Sequence, residues 1–401
     1  AAAEVQKVKE ATTRKSTDEL LPRDVTYEMD ESTKRAIKKR TKKIRHRLLG
    51  QKKKLDVLPI IATVDDNVKP RSMKLKKIVQ ELHGEIDEDL TKLSIETASS
   101  LKKNIDSRII QDIKFLIREN IPHMITKVIA LPTIGSDVKQ ICIEILVELC
   151  NSSEVCTLIT LSLDLIPLAE LLSQKLCSSI TVPEDSELQN LCIIISRCLS
   201  SEFVLKNKAI EDTIREELIN FLVTLDVMEQ MKENLLFFVN SKIPITRKVV
   251  ELISLLSTVT SHSSRVGKLQ KVYLKKDVPG CATLLKAIKD SNLVAIPPLL
   301  TWMLLRESGN VVRSFDSISP TDIQVVGYSL KMLNSIACLD LSFVQEALGE
   351  TFQSELFHIA LGIISYHSTL ENDVNSVGQH NIDQVMTDLI LLLGFFTMEH
   401  P

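Results

Sequence analysis

The segment ICIEILVELCNSSEVCTLITLSLDLIPLAELLSQKLCS, residues 141–178, limits the fold of this chain more than any other stretch. Apolar residues recur at helical spacing up to Asn151-Ser152-Ser153, and a second apolar helix follows. Ile166-Pro167-Leu168 then opens a third, apolar at Leu168, Leu171, Leu172 and Leu176. Pro167 suits a first helical turn, where its missing N–H has no intrahelical partner to lose. Units of this kind bury their faces only by stacking on neighbours, so more of them are expected along the chain.

Weaker echoes follow at LCIIISRCLSSEFVLKN (191–207), VVELISLLSTVTSHSSRV (from 249), VVGYSLKMLNSIACLDLSFVQEAL (from 325) and DLILLLGFFTMEHP (from 388). Each is an apolar helix and a polar or small-residue corner, followed in all but the last by another helix. Their spacing is irregular, roughly 50 to 75 residues. Helix, Asn-containing loop, helix and then IPxLxxLL resembles an armadillo repeat. Prolines mark the loops, aromatic residues make up only 4% of the chain, and no strand-like alternation stands out. The expected fold class is all-α: an irregular armadillo/HEAT-like array (α-solenoid) over 120–401, preceded by a basic helical arm. The last echo lacks its partner helix, which suggests a fragment truncated at the C-terminus.

Upstream, residues 1–31 are polar and mixed in charge, which predicts disorder. Residues 32–54 read as a basic amphipathic helix, with Ile37, Thr41, Ile44 and Leu48 on one face and Gly50 as a stop. Residues 55–70 form a linker with Pro59 and Pro70. Over 71–119, Leu75, Ile78, Val79 and Leu82 predict one helix ended by Gly84, and residues 87–120 predict a second, long one.

Chemical motifs are few. GxGxxG, P-loop, HExxH and GxSxG patterns are all missing. The eight cysteines form no C-x-x-C and no zinc spacing with histidine, so they read as buried reduced thiols with no metal site. The scattered histidines are placed at loops or helix ends, apart from His46 in the basic helix. The pairs Glu211-Asp212 and Glu216-Glu217 read as solvated faces, and Trp302 as core. No catalytic residue, cofactor or small-molecule substrate is expected, and no apolar run is long enough to span a membrane.

The charge is unevenly placed. Residues 1–77 carry 22 Lys/Arg against 11 Asp/Glu, and residues 78–401 carry 27 against 41. The stretch 34–54 holds twelve Lys/Arg and no Asp or Glu. Four uses compete: binding nucleic-acid phosphate, nuclear import, lying on an anionic membrane, or packing on the acidic body. Tyr27 is the only aromatic before Phe115, so base stacking is not expected and contact would be through charge and shape. The candidate phosphate-binding residues are Lys34, Arg35, Lys38, Lys39, Arg40, Lys42, Lys43, Arg45, Arg47, Lys52, Lys53, Lys54, Lys74, Lys76 and Lys77. Lys69 and Arg71 are expected to help. Ile37, Ile44 and Leu48 are the expected docking stripe.

The run ELCNSSEVCTLITLSLDLIPLAELLSQKLCSSITVPED (148–185) resembles the C-terminal region of the family of S-phase cyclin A-associated proteins in the endoplasmic reticulum. So do residues 100–120, 281–305, 329–349 and 391–401, in the same order. Lys42-Lys43-Ile44-Arg45-His46-Arg47 stands at the place of that family's basic segment. The resemblance covers about residues 34–401. A corner that is richer in cysteine in the family reads ELCNSSEVC here, and the family's zinc finger, membrane-associated segment and cyclin-binding part have no counterpart. It implies a cytoplasmic adaptor at the endoplasmic reticulum surface, with a nuclear pool, linked to cyclin A and the cell cycle. The implied partners are ribosomal RNA, a ribosome-bound tetratricopeptide factor and a deadenylase complex acting in tubulin mRNA decay. The alternatives are a nuclear-transport adaptor of the importin-alpha type, against which a single Trp argues, and a helical-repeat enzyme.

Overall fold

The computed structural model describes residues 31–52, 69–88, 90–200, 208–241, 244–274, 279–305, 319–370 and 379–397, and every regular element among them is a helix. Of the segment 1–31 only Glu31 is described, and residues 53–68 of the basic stretch and linker lie outside the described residues. By compactness the chain divides between Lys39 and Arg40. In the first unit the described residues are helical, and Lys34 pairs with Glu31 at 3.2 Å.

Helix α1 (Glu31–Lys52) runs through Gly50, and α2 (Met73–Glu88) runs through Gly84, so neither glycine is the stop the sequence suggested. Neither has a positive φ. Glycine costs a helix interior about 1 kcal/mol, less than a buried Ile or Leu beside it contributes. The long helix expected over 87–120 is instead a 3-10 turn (Leu90–Lys92), α3 (Ile95–Asn104) and α4 (Ile110–Arg118). Local polar bonds cause both breaks. Ser94 caps α3 by accepting from the Thr97 N–H at 3.1 Å, and Glu85 accepts from the Ser94 N–H at 2.8 Å and the Thr97 hydroxyl at 2.7 Å. After α3, Asp106 accepts from the Arg108 N–H at 3.0 Å, and Glu148 accepts from the Ser107 hydroxyl at 2.6 Å. Such bonds satisfy backbone and side chain outside a helix and outcompete the apolar periodicity.

The chain continues as α5 (Ile121–Ala130), α6 (Ser136–Leu149), α7 (Ser153–Ser162), α8 (Leu165–Ser178), α9 (Ser186–Ser200), α10 (Lys208–Thr224), α11 (Val227–Ser241) and α12 (Arg247–Leu274). It ends with α13 (Pro279–Asp290), α14 (Ile296–Leu305), α15 (Pro320–Leu339), α16 (Leu341–Leu370, kinked at Gly349) and α17 (Gln379–Thr397). From α3 to α15, with α4 as the exception, a helix packs on the one three places along the chain. One ladder is α3–α6–α9–α12–α15, a second α5–α8–α11–α14, and a third α7–α10–α13. The packing unit is therefore three helices.

The backbone repeats in step with this unit. One residue in the left-handed region stands at each corresponding corner: Asn120 (φ 57°) before α5, Leu163 (φ 65°) before α8, Asp226 (φ 64°) before α11 and Asn292 (φ 50°) before the turn into α14. Asn and Asp tolerate this conformation; Leu163 does not, and it is held there because its side chain is buried. The corner at Leu163 turns α8 by 90° from α7.

Among the described residues, the buried apolar side chains from Ile44 to Phe396 form one continuous cluster, apart from Ile180, Ile193 and Cys281. Short hydroxyl pairs sit inside the first ladder, Ser196–Thr258 at 2.8 Å and Ser261–Ser335 at 3.0 Å, where small side chains let helices approach. Asn234 donates to the Leu176 carbonyl at 3.0 Å within the second. No single described helix is long and apolar enough to cross a membrane; α7 and α8 reach that length only as a pair, across their 90° bend.

Candidate functional site

At 3.6 residues per turn, Ile44 and Leu48 share one face of α1, with Arg45 and Arg47 flanking it on opposite sides. Both apolar side chains are buried in the common core, Leu48 completely. Arg45 donates to Glu170 of α8 at 2.5 Å, and Arg47 donates to Glu217 of α10 at 3.0 Å. The ion pairs are solvated: Arg45 and Arg47 keep 47% and 59% of their side chains exposed. Exposed pairs contribute about 0–1 kcal/mol each, whereas burying a Leu or Ile contributes about 1.5–3 kcal/mol. The stripe therefore supplies the docking energy, and the arginines set orientation. Leu48→Asp is expected to release this stretch and raise its cleavage rate by trypsin severalfold, while Arg45→Ala with Arg47→Ala changes it little. Limited proteolysis of the three proteins decides, and equal rates for Leu48→Asp and wild type would refute the docking energetics.

Lys34, Arg35, Lys38 and Lys39 are exposed on α1, as are Arg40, Lys42 and Lys43; Ile37 is half-buried. Arg40, Lys42 and Lys43 have no ion-pair partner among the described residues. Lys42 and His46 fall opposite the buried stripe. Lys52 ends the helix, and Lys53 and Lys54 lie outside the described residues. Lys74, Lys76 and Lys77 are exposed on α2, and Lys69 and Arg71 precede it; the Arg71 N–H donates to the buried Asp112 at 2.7 Å. Of the acceptors for the arm, Glu170 escaped sequence reasoning and Glu217 read only as part of a solvated face, because nothing in their local sequence marks a partner.

The fold also assembles what spacing did not reveal. Cys150 at the end of α6, Cys156 in α7 and Cys198 in α9 bring their sulfur atoms within 4.8 Å of one another, all buried. The Cys156 thiol donates to the Cys150 carbonyl at 3.1 Å when protonated. The three thiols ionise as a unit. Hydrogen bonds from Cys150 and Cys198, then the charges of Arg197 and Arg215, favour one thiolate at Cys156 and outweigh both burial and the carbonyl bond, so that its pKa falls. Cys150 is pushed up first by its hydrogen bond to that sulfur, and Cys198 by its hydrogen bond to Cys150 and then by the one to Cys156. Cys142 and Cys192 are ordinary core thiols, with burial pushing Cys142 up to about 12. All five are buried free thiols, as the sequence suggests, but nothing in their spacing shows that Cys150, Cys156 and Cys198 meet.

Three further expectations are corrected. His262 lies inside α12 rather than at a helix end, buried, with its Nε2 3.7 Å from the Glu216 carboxylate. Glu216 itself is buried, not solvated, and burial raises its pKa to about 7, helped by the neighbouring Asp212 and Glu217 charges. The Ser263 hydroxyl opposes this, second in size to burial and ahead of either neighbouring charge, and burial outweighs it. Trp302, expected in the core, keeps 38% of its surface exposed on the outer side of α14.

His123 is held by Asp164, with Nδ1 at 2.8 and 2.9 Å from its two oxygens, so it ties α5 to the corner before α8. No family model matches this chain, and neither a curated protein nor a solved structure matches it.

Proposed function

We propose that this chain is a non-catalytic adaptor, an irregular armadillo- or HEAT-like solenoid whose helices hold protein partners and whose basic helix contacts RNA phosphate. The carrying observation is the two-sidedness of α1 beyond Lys39. One side is anchored by Ile44, Leu48, Arg45 and Arg47, and the other presents Arg40, Lys42 and Lys43 with no carboxylate partner among the described residues. A helix fixed on one side holds its cations in place, so less side-chain and backbone freedom is lost when a polyanion binds. The step-of-three packing supports the solenoid, since armadillo units also contain three helices.

By its resemblance to the cyclin A-associated family, the polyanion would be ribosomal RNA, and the partners a ribosome-bound tetratricopeptide factor, a deadenylase complex or cyclin A. The setting would be cytoplasmic, at the endoplasmic reticulum surface, in co-translational decay of tubulin mRNA.

Reversal of Lys38, Lys39, Arg40, Lys42 and Lys43 to Glu is expected to abolish co-sedimentation with ribosomes at low salt. The wild type should show affinity falling steeply with salt as counterions are released, about tenfold or more between 50 and 200 mM. The variant should keep its melting temperature, because all five side chains are exposed. Unchanged sedimentation would sink the phosphate reading, and a large loss of melting temperature would assign these cations to folding instead.

A further inference from the structure

We propose that Cys150, Cys156 and Cys198 form a three-thiolate site for one thiophilic d10 cation, Cu(I) or Zn(II). Three sulfurs around a cation at about 2.3 Å stand about 4 Å apart, and these three already lie within 4.8 Å of one another. A contraction of less than 1 Å per pair closes the site. The ligand backbones are pinned. The Cys150 N–H donates to Leu146 at 2.8 Å, the Cys156 N–H to Ser152 at 3.1 Å, and the Thr160 hydroxyl bonds the carbonyls of Cys156 at 2.8 Å and Cys198 at 3.4 Å.

Charge balance also fits. Three thiolates carry −2 with Cu(I) and −1 with Zn(II), a burden a buried site must offset. Arg197 and Arg215 supply positive charge beside the sulfurs, and Arg197 is fixed by donating to the Val147 carbonyl at 2.7 Å. Thiolate donors select soft or borderline cations over Mg(II) or Ca(II). Binding displaces the thiol protons to solvent and involves no electron transfer. The corner at Asn151 and Ser153, between Cys150 and Cys156 in the chain, is exposed. Three sulfurs complete a trigonal Cu(I) centre; Zn(II) would add a water or a fourth ligand.

The experiment uses the whole chain, reduced with a phosphine and freed of metal. Cu(I) and Zn(II) are each titrated in competition with a chromophoric chelator. One equivalent of either is expected to bind, and Cys156→Ser should weaken it by at least about 100-fold, since even outer-shell changes cost 10–100-fold. Cys142→Ser and Cys192→Ser, equally buried but remote, should bind as the wild type does. Circular dichroism verifies folding. X-ray absorption on the loaded wild type, which needs no variant, should report three sulfurs with Cu(I), or three sulfurs and a light atom with Zn(II). No uptake by the reduced, folded wild type would overturn the proposal. So would uptake that survives Cys156→Ser, or a first shell with fewer than three sulfurs.

Discussion

Glu216→Gln is expected to stabilise the protein at pH 8 by about 3 kcal/mol and to leave it unchanged near pH 4.5. The sign follows from where the protons are. With the folded pKa raised to about 7, from an ordinary 4.5, the native state keeps a proton that the unfolded chain loses between those values. Stability therefore falls as pH rises through that window, and above it the native state carries a buried charge in full. The groups facing this carboxyl are Asp212 and Glu217 on its own helix and His262 and Ser263 on α12. Two of them are like charges, which add to the cost of the ionised form. Gln keeps the shape and removes the charge. Thermal unfolding of both proteins across pH 4.5 to 8 tests this, and a gain that does not change with pH would contradict it.

Lys248→Met is expected to destabilise the chain by about 3 kcal/mol, since a buried and a partly buried carbonyl would lose their donor. The Lys248 ammonium is buried and donates to the carbonyls of Ser179 at 2.5 Å and Val182 at 2.8 Å. Burial lowers its pKa to about 8, with Asp185, Cys192 and Glu184 opposing that fall. The same loop is fastened elsewhere. Asp185 accepts from the Ser179 hydroxyl and from the Leu188 N–H at 3.0 Å, and these bonds hold its carboxyl below the usual range although burial pushes it up. Glu184 accepts from the Arg247 N–H at 3.2 Å. Lys248 thus bolts the loop between α8 and α9 onto α12. Urea unfolding measures the loss, and hydrogen exchange should place the first protection loss at residues 179–185. A variant as stable as the wild type would mean that water replaces the ammonium at no cost.

Much of the fold was readable. Helices over 141–178 followed from apolar spacing and the Asn151 corner, and the α1 stripe at Ile44 and Leu48 from period alone. The sequence also carries a clue to the repeat: Ile121-Pro122, Ile166-Pro167 and Ile296-Pro297 stand in the first turn of α5, α8 and α14, three of the four helices of the second ladder, whereas α11 opens with Val227-Met228. The expected helix over 87–120 failed where Glu85 and Glu148, distant in sequence, supplied hydrogen bonds that made breaks favourable. Glu216 and Glu217 look alike as a pair, yet one helical step of about 100° turns one into the core and leaves the other for Arg47.

Apolar period and corner residues thus fixed the helices, their rough limits and the uneven charge, because these depend on neighbours within a turn or two. The step-of-three ladders, the seating of α1 against Glu170 and Glu217, and the meeting of Cys150, Cys156 and Cys198 were settled in three dimensions. Each depends on which distant helix faces which, and that choice is made by packing the whole core at once.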